Sequence, residues 1–163
     1  MNLRLGVPKE PENETRVAIV PSSMKKLLKA GFEVLVEKGA GVSANYSDAE
    51  YEAAGAKIVS RVDALACENI VCINFPGIEG ISENTNLACV ADPFRNPEYV
   101  RQCISSNITL MSMDMIPRRL SRAQSMDVNS SQDNLAGYKA VLLGAANVPK
   151  GIPMMTTSAG TVR

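Results

Sequence analysis

Ile70-Val71-Cys72-Ile73 is apolar without a break, and this continuity sets it apart from the alternating stretches that precede it. A strand with apolar side chains on both faces is covered on both, which is the condition of a central strand in a parallel sheet flanked by helices. Leu87 to Val90 is a second run of the same kind.

Working outward toward the N-terminus, Leu3, Leu5 and Val7 alternate with Arg4 and Gly6 as in a first strand, and Pro8 ends it. The loop from Lys9 to Arg16 is polar and dense in charge. Pro21-Ser22-Ser23 predicts a helix start with Ser22 as N-cap. Met24, Leu27 and Leu28 give i, i+3, i+4 spacing, and Gly31 is placed as the stop. Phe32, Val34 and Val36 predict the second strand, and Gly39-Ala40-Gly41 a tight connection. Ser47 and Glu50 match a capping box that opens a short helix through Ala54. Lys57 to Val59 reads as a brief strand, and Val62 to Leu65 as one or two helical turns.

Toward the C-terminus, Asn96-Pro97-Glu98 is a helix start, with Asn as cap, Pro at the first helical position and an acid near the positive end of the dipole. That helix carries through Cys103 and Ile104, and Ile108 to Met113 follows as a strand. The alternating Met111, Met113 and Met115 read as one face of a core strand. Strand and helix alternate throughout, so the fold class is α/β, Rossmann-like or flavodoxin-like. The sheet is expected to be mostly parallel with helices on both faces, plus a C-terminal linking helix.

The chain has 163 residues, enough for one domain with a genuine core, or one domain and a linking helix, and too few for two. Seventeen basic and seventeen acidic residues cancel, so nothing in the charge asks for nucleic acid or an anionic membrane. Cys67, Cys72, Cys89 and Cys103 sit in or beside apolar runs, with no C-x-x-C pair and no histidine. That argues against a zinc site and for buried free thiols in a reducing compartment. The N-terminus lacks the apolar core of a secretory signal, and no apolar run approaches membrane-spanning length. A soluble, intracellular segment is the expectation.

The densest polar stretch is Arg118-Arg119-Leu120-Ser121-Arg122-Ala123-Gln124-Ser125-Met126-Asp127-Val128-Asn129-Ser130-Ser131. It follows the strand ending at Met113, and in open α/β sheets ligands bind at the carboxyl ends of strands. Its guanidinium, amide, carboxylate and hydroxyl groups suit a polar, partly planar ligand; a solvated loop ending in a Ser N-cap is the competing account. In the helix that follows, Ala136, Ala140 and Gly144 lie four apart, with Gly137 and Val141 beside them. Such a stripe suits a dimer interface or a domain-linking helix, or else a helix packed on its own sheet. Pro149 to Pro153 breaks regularity, and Met155 to Thr161 is expected to stop without a finished element.

At these residues the sequence resembles the N-terminal part of the nicotinamide nucleotide transhydrogenase alpha subunit, in the family shared with alanine dehydrogenase. The carriers are Gly6-Val7-Pro8-Lys9-Glu10, Asn13 to Ala18, Gly39-Ala40-Gly41, Asn96-Pro97-Glu98, Met113-Asp114, Ser121 to Asp127, Ser130-Ser131 and Ala136 to Ala140. The resemblance implies hydride transfer between NADH and NADP⁺, coupled in the whole enzyme to proton translocation through a separate membrane part. It implies a homodimer partnered by NADP(H)-binding and membrane domains, on the soluble face of a membrane complex, cytoplasmic or on the mitochondrial matrix side. It further implies that the polar loop faces the nicotinamide of NAD(H) through Arg119, Gln124, Asp127 and Ser130. The family's single arginine after proline is doubled here as Arg118-Arg119, which leaves open which of the two makes the contact.

The alanine dehydrogenase branch competes through Arg16, matched to that branch's substrate-carboxylate arginine. Its substrate lysine, however, falls on Asn74 and its catalytic histidine has no counterpart, so Arg16 reads as holding the loop against a carboxylate. No G-x-G-x-x-G occurs, and NAD(H) is therefore expected to be bound mainly by an absent second domain. The domains are read as 1–128 for the α/β part, 129–147 for the linking helix and 148–163 for a truncated lead-in to that absent domain. An orphan non-catalytic interaction module of the same fold is the other reading.

Overall fold

The computed structural model describes residues 3–117, 119–149 and 154–162. The chain falls into two compact units, Met1–Ile116 and Pro117–Arg163.

The first unit holds a six-stranded sheet in the order β3-β2-β1-β4-β5-β6, every pairing parallel. Its strands are β1 (Leu3–Val7), β2 (Phe32–Glu37), β3 (Lys57–Val59), β4 (Asn69–Asn74), β5 (Asn86–Val90) and β6 (Thr109–Ser112). The run Ile70 to Ile73 lies in β4, inside the sheet beside β1, as its two-sided apolar character requires. The helices are α1 (Met24–Lys29), α2 (Asp48–Ala53), α3 (Arg61–Leu65) and α4 (Pro97–Ser105). They pack on both faces: Met24 and Tyr51 close one core with Leu5, Val7, Val34 and Val36, while Leu65 and Cys103 close the other with Ile70, Cys72, Leu87 and Cys89.

Local chemistry explains the element ends. Ser47 Oγ accepts from the Glu50 amide while the Glu50 carboxylate accepts from the Ser47 amide at 2.7 Å, the predicted capping box. Gly31 follows α1 at φ 89°, the left-handed conformation in which glycine carries no steric penalty. Gly6 is required for a different reason. A Cβ there would lie 1.9 Å from the Ala64 carbonyl oxygen, so its absence lets α3 lie directly on β1.

Three sequence expectations are corrected here. Pro21–Ser23 forms a 3-10 turn and α1 begins at Met24, so Ser22 is no cap, and Ser23 in that position makes no side-chain cap bond. Asn96 occupies the N-cap of α4, but its amide donates back to the Ala91 and Asp92 carbonyls at 3.1 and 3.3 Å instead of capping the helix. The methionines do not line a core strand. β6 stops at Ser112, where the Asp114 carboxylate accepts from Ser112 Oγ and the Ala91 amide and Met113–Met115 form a 3-10 turn; Met111 on the strand and Met115 in the turn are both exposed.

The second unit contains a 3-10 turn (Gln124–Met126), α5 (Val128–Asn147) and an antiparallel hairpin of β7 (Met155–Thr157) and β8 (Gly160–Val162). The hairpin corrects the expectation of an unfinished element. No residue of α5 is buried, and a Cβ at Gly137 or Gly144 would meet nothing within 4 Å. No helix among the described residues is long and apolar enough to cross a membrane.

Candidate functional site

The strand order reverses direction between β1 and β4, and the crevice at their carboxyl ends is where a sheet of this order takes its ligand. A cavity of about 370 Å³ lies there, lined in part by Lys9, Glu10, Glu37, Arg61, Cys72 and Asn74. The backbone amides that end β4 are already engaged. The Glu10 carboxylate accepts from the Ile73 amide at 2.5 Å, the Asn74 amide at 3.0 Å and the Asn74 side chain at 3.1 Å. Glu10 is 9% exposed, and three donors are what make a buried carboxylate tolerable. Arg61 is held by Glu37 at 3.0 Å and by the Lys9 carbonyl at 3.2 Å.

Arg16 faces a carboxylate, as the sequence suggested. Its Nε and Nη2 donate to the two Glu14 oxygens at 2.8 and 2.6 Å, and its amide also reaches Glu14. The Arg16 guanidinium draws the Glu14 carboxyl down to about 2, with the Asn74 amide adding to the effect. Arg16 and Asn74, the positions of the alanine dehydrogenase match, are thus both engaged by carboxylates of the chain itself.

A dinucleotide fits this crevice poorly. Pyrophosphate is held by a Gly-rich turn leading from a strand straight into a helix N-terminus, whereas β1 ends at Val7 and the next helical turn begins at Pro21. The sequence reading overlooked one looser match, Gly39-Ala40-Gly41-Val42-Ser43-Ala44 after β2, in which Ala closes the motif. It enters only the 3-10 turn Val42–Ala44. The Gly39 amide there donates to Asp48 at 2.8 Å, and a Cβ on Gly41 would lie 2.5 Å from the Tyr51 ring. Gly41 serves packing and Gly39 the left-handed turn at φ 75°.

In the second unit, Asp127 and Ser130 are brought together. Asp127 is the N-cap of α5, accepting from the Ser130 amide at 2.9 Å and the Ser130 hydroxyl at 2.6 Å. The cap is therefore an Asp and not the Ser that the sequence suggested. The acid also complements the positive end of the helix. Gln124 lies in the preceding turn with its side chain exposed, Arg119 is exposed as well, and Arg118 lies outside the described residues. The loop thus offers a fixed carboxylate–hydroxyl pair with an exposed amide and an exposed guanidinium on the segment before it. These groups suit a small polar planar ligand.

The alanine dehydrogenase/PNT N-terminal domain model matches residues 6–136. An NAD(P) transhydrogenase alpha-subunit protein of Rhodospirillum rubrum is 43% identical over 171 residues, covering 98% of this chain and 44% of that protein. The crystal structure of transhydrogenase from Sinorhizobium meliloti superposes with a TM-score of 0.90 at 39% identity, over 99% of this chain and 49% of that one. An L-alanine dehydrogenase structure gives 0.68 at 29% identity over 74% of this chain and 34% of that one. The chain spans less than half the length of these relatives. Two-sided apolar strands, the loop motif and these likenesses converge: the chain belongs to the alanine dehydrogenase/PNT N-terminal domain family, in the form carried by NAD(P) transhydrogenase alpha subunits.

Proposed function

We propose that residues 1–163 supply the nicotinamide-facing loop to an NAD(P) transhydrogenase, in which hydride passes between NADH and NADP⁺ with coupled proton translocation. The observation that carries this reading is the capped loop itself, with Asp127 and Ser130 locked together at 2.6 Å beside the exposed Gln124 and Arg119. Hydride transfer needs no side chain to form a covalent bond. It needs the ring oriented and its changing charge matched. Gln124 and Ser130 orient the carboxamide, and Arg119, working with Asp127, responds to the positive charge that the ring gains or loses.

NAD(H), when bound, supplies the hydride, and its pyrophosphate is held by a second domain outside residues 1–163. NADP(H) and the proton path belong to further domains, with the assembly a homodimer on the soluble side of a membrane. In this reading 1–128 is the α/β domain, 129–147 the linking helix and 148–163 the lead-in to the NAD(H) domain. The internal engagement of Arg16 and Asn74 favours this over an alanine dehydrogenase-like substrate domain.

Gln124→Ala in the intact enzyme is the direct test, because an exposed side chain is removed without touching the core. Loss of one or two neutral hydrogen bonds slows hydride transfer by about fivefold to tenfold, read by stopped-flow with NADH and an NADP⁺ analogue. Asp127→Asn keeps an oxygen at the cap and isolates its charge. Unchanged transfer rates in both variants would overturn the proposal.

A further inference from the structure

Cys72 of β4 and Cys89 of β5 belong to one buried cluster, next to Ile70 and Leu87 of the same two strands. Their meeting follows from the pairing. The strands run in register from Asn69 and Asn86 to Val71 and Ala88, and the next pair is Asn74 with Val90. Two residues of β4, Cys72 and Ile73, therefore stand against the single Cys89, a bulge that interrupts the ladder. Beside it the Glu10 carboxylate accepts from the Ile73 and Asn74 amides at 2.5 and 3.0 Å. Cys72 is thus held next to Cys89, and their side chains share a hydrogen bond.

The two thiols differ in access. Cys89 is fully buried, whereas Cys72 is 6% exposed and lines the crevice at the ends of β1 and β4. A peroxide, with two heavy atoms, needs little room to reach a sulfur in that wall. The spacing also suits a covalent link. Neighbouring strands lie about 4.8 Å apart, inside the roughly 4.4–6.8 Å of Cα separation that a disulfide spans. The other sulfurs have different settings: Cys67 Sγ donates to the Asp63 carbonyl at 3.4 Å, and Cys103 enters the cluster from α4 as the rival partner.

We infer that Cys72 and Cys89 are a site of oxidative modification, closing to a disulfide when peroxide enters the crevice. The Cys72 sulfur attacks one peroxide oxygen, the O–O bond breaks, and the departing hydroxide carries off the Cys72 thiol proton as water, leaving a sulfenic acid. The Cys89 sulfur then attacks the Cys72 sulfur, the S–O bond breaks, and a second water leaves with the Cys89 proton. The sulfurs lose two electrons in all, and the peroxide gains them. The bond to Cys89 and burial hold the Cys72 thiol up, so little thiolate is present and the first step is slow. The pair therefore answers sustained oxidation, and thiol exchange in a reducing compartment restores it. Once formed, the disulfide ties β4 to β5 where the ladder between them is interrupted.

The test treats the intact alpha subunit with hydrogen peroxide, alkylates the remaining thiols with iodoacetamide in urea, and maps peptides without reductant. The expected product has lost two hydrogens, with the Cys72 and Cys89 peptides joined, Cys67 and Cys103 alkylated, and the link reversed by dithiothreitol. Peroxide added after unfolding in urea is the control, in which the four cysteines of residues 1–163 pair without preference. The same mixture from the folded chain overturns the inference. So does a Cys89–Cys103 link, a link between two chains, or recovery of Cys72 and Cys89 both alkylated. Cys89→Ala removes the second sulfur, and in a variant that still melts cooperatively dimedone is expected to tag Cys72 as the sulfenic acid. A folded variant without that adduct overturns the inference; where the variant does not fold, the peptide map of the parent decides.

Discussion

α2 has six residues and buries Tyr51 completely; α5 has twenty and buries none. The shorter helix is too short to be stable by itself. It is held by its capping box and by Tyr51, whose hydroxyl donates to the Ile19 carbonyl at 2.7 Å, while burial pushes the phenol up to about 12. The longer helix has length and the Asp127 cap in place of a core. Tertiary burial fixes the first unit, and local helix chemistry shapes the second. The same substitution therefore has different consequences in the two.

The sharpest contrast is between two tyrosines. Tyr51→Ala is expected to cost about 4 kcal/mol, the scale for a buried aromatic, and Tyr138→Ala, at 68% exposure, within about 0.5 kcal/mol of nothing. Urea unfolding of the two variants measures both, and equal losses would break the comparison. Gly6→Ala is next: driving a methyl into the Ala64 carbonyl is expected to destabilise by about 3 kcal/mol, visible as a lowered Tm.

Acid comes third. Glu14 has its carboxyl lowered from 4.5 to about 2 in the folded chain, so its contribution is fully present above about 4.5 and is lost as pH falls toward 2. Glu14→Gln should flatten that region of the Tm profile, leaving the variant and parent closer at pH 2 than at pH 6. The smallest effect has the opposite sign. Gly144→Ala meets open space and should strengthen α5 by up to about 1 kcal/mol, read as helicity on heating.

The sheet was legible because its signals are local and redundant. Alternation in β1 and β2, two-sided apolar runs in β4 and β5, and the Ser47/Glu50 box all act over a few residues. Caps were harder to read, since Ser and Asn side chains such as Ser22 and Asn96 are competent caps wherever they stand. The choice among them depended on where Pro21 began a turn, on the backward bonds of the Asn96 amide, and on Asp127 reaching the Ser130 amide. Methionine alternation misled because a 3-10 turn ends β6, under the control of Asp114 contacts to the neighbouring strand. Of the site, the loop residues were chosen by resemblance, and geometry adds the Asp127–Ser130 lock. Glu10 went unnoticed. A carboxylate in a charge-dense loop carries no sign that β4, more than sixty residues later, will supply its donors.

The four cysteines have a practical consequence. All are buried and free, all lie in the first unit, and burial holds the Cys67 and Cys103 thiols up while Cys89 and burial raise Cys72. Alkylation requires a thiolate within reach of the reagent, so burial keeps each sulfur silent to iodoacetamide until the structure around it opens. The chain thus carries its own opening clock: the rate at which alkyl mass is added reads the sheet and its covering helices, strand by strand, while α5 unravels unrecorded.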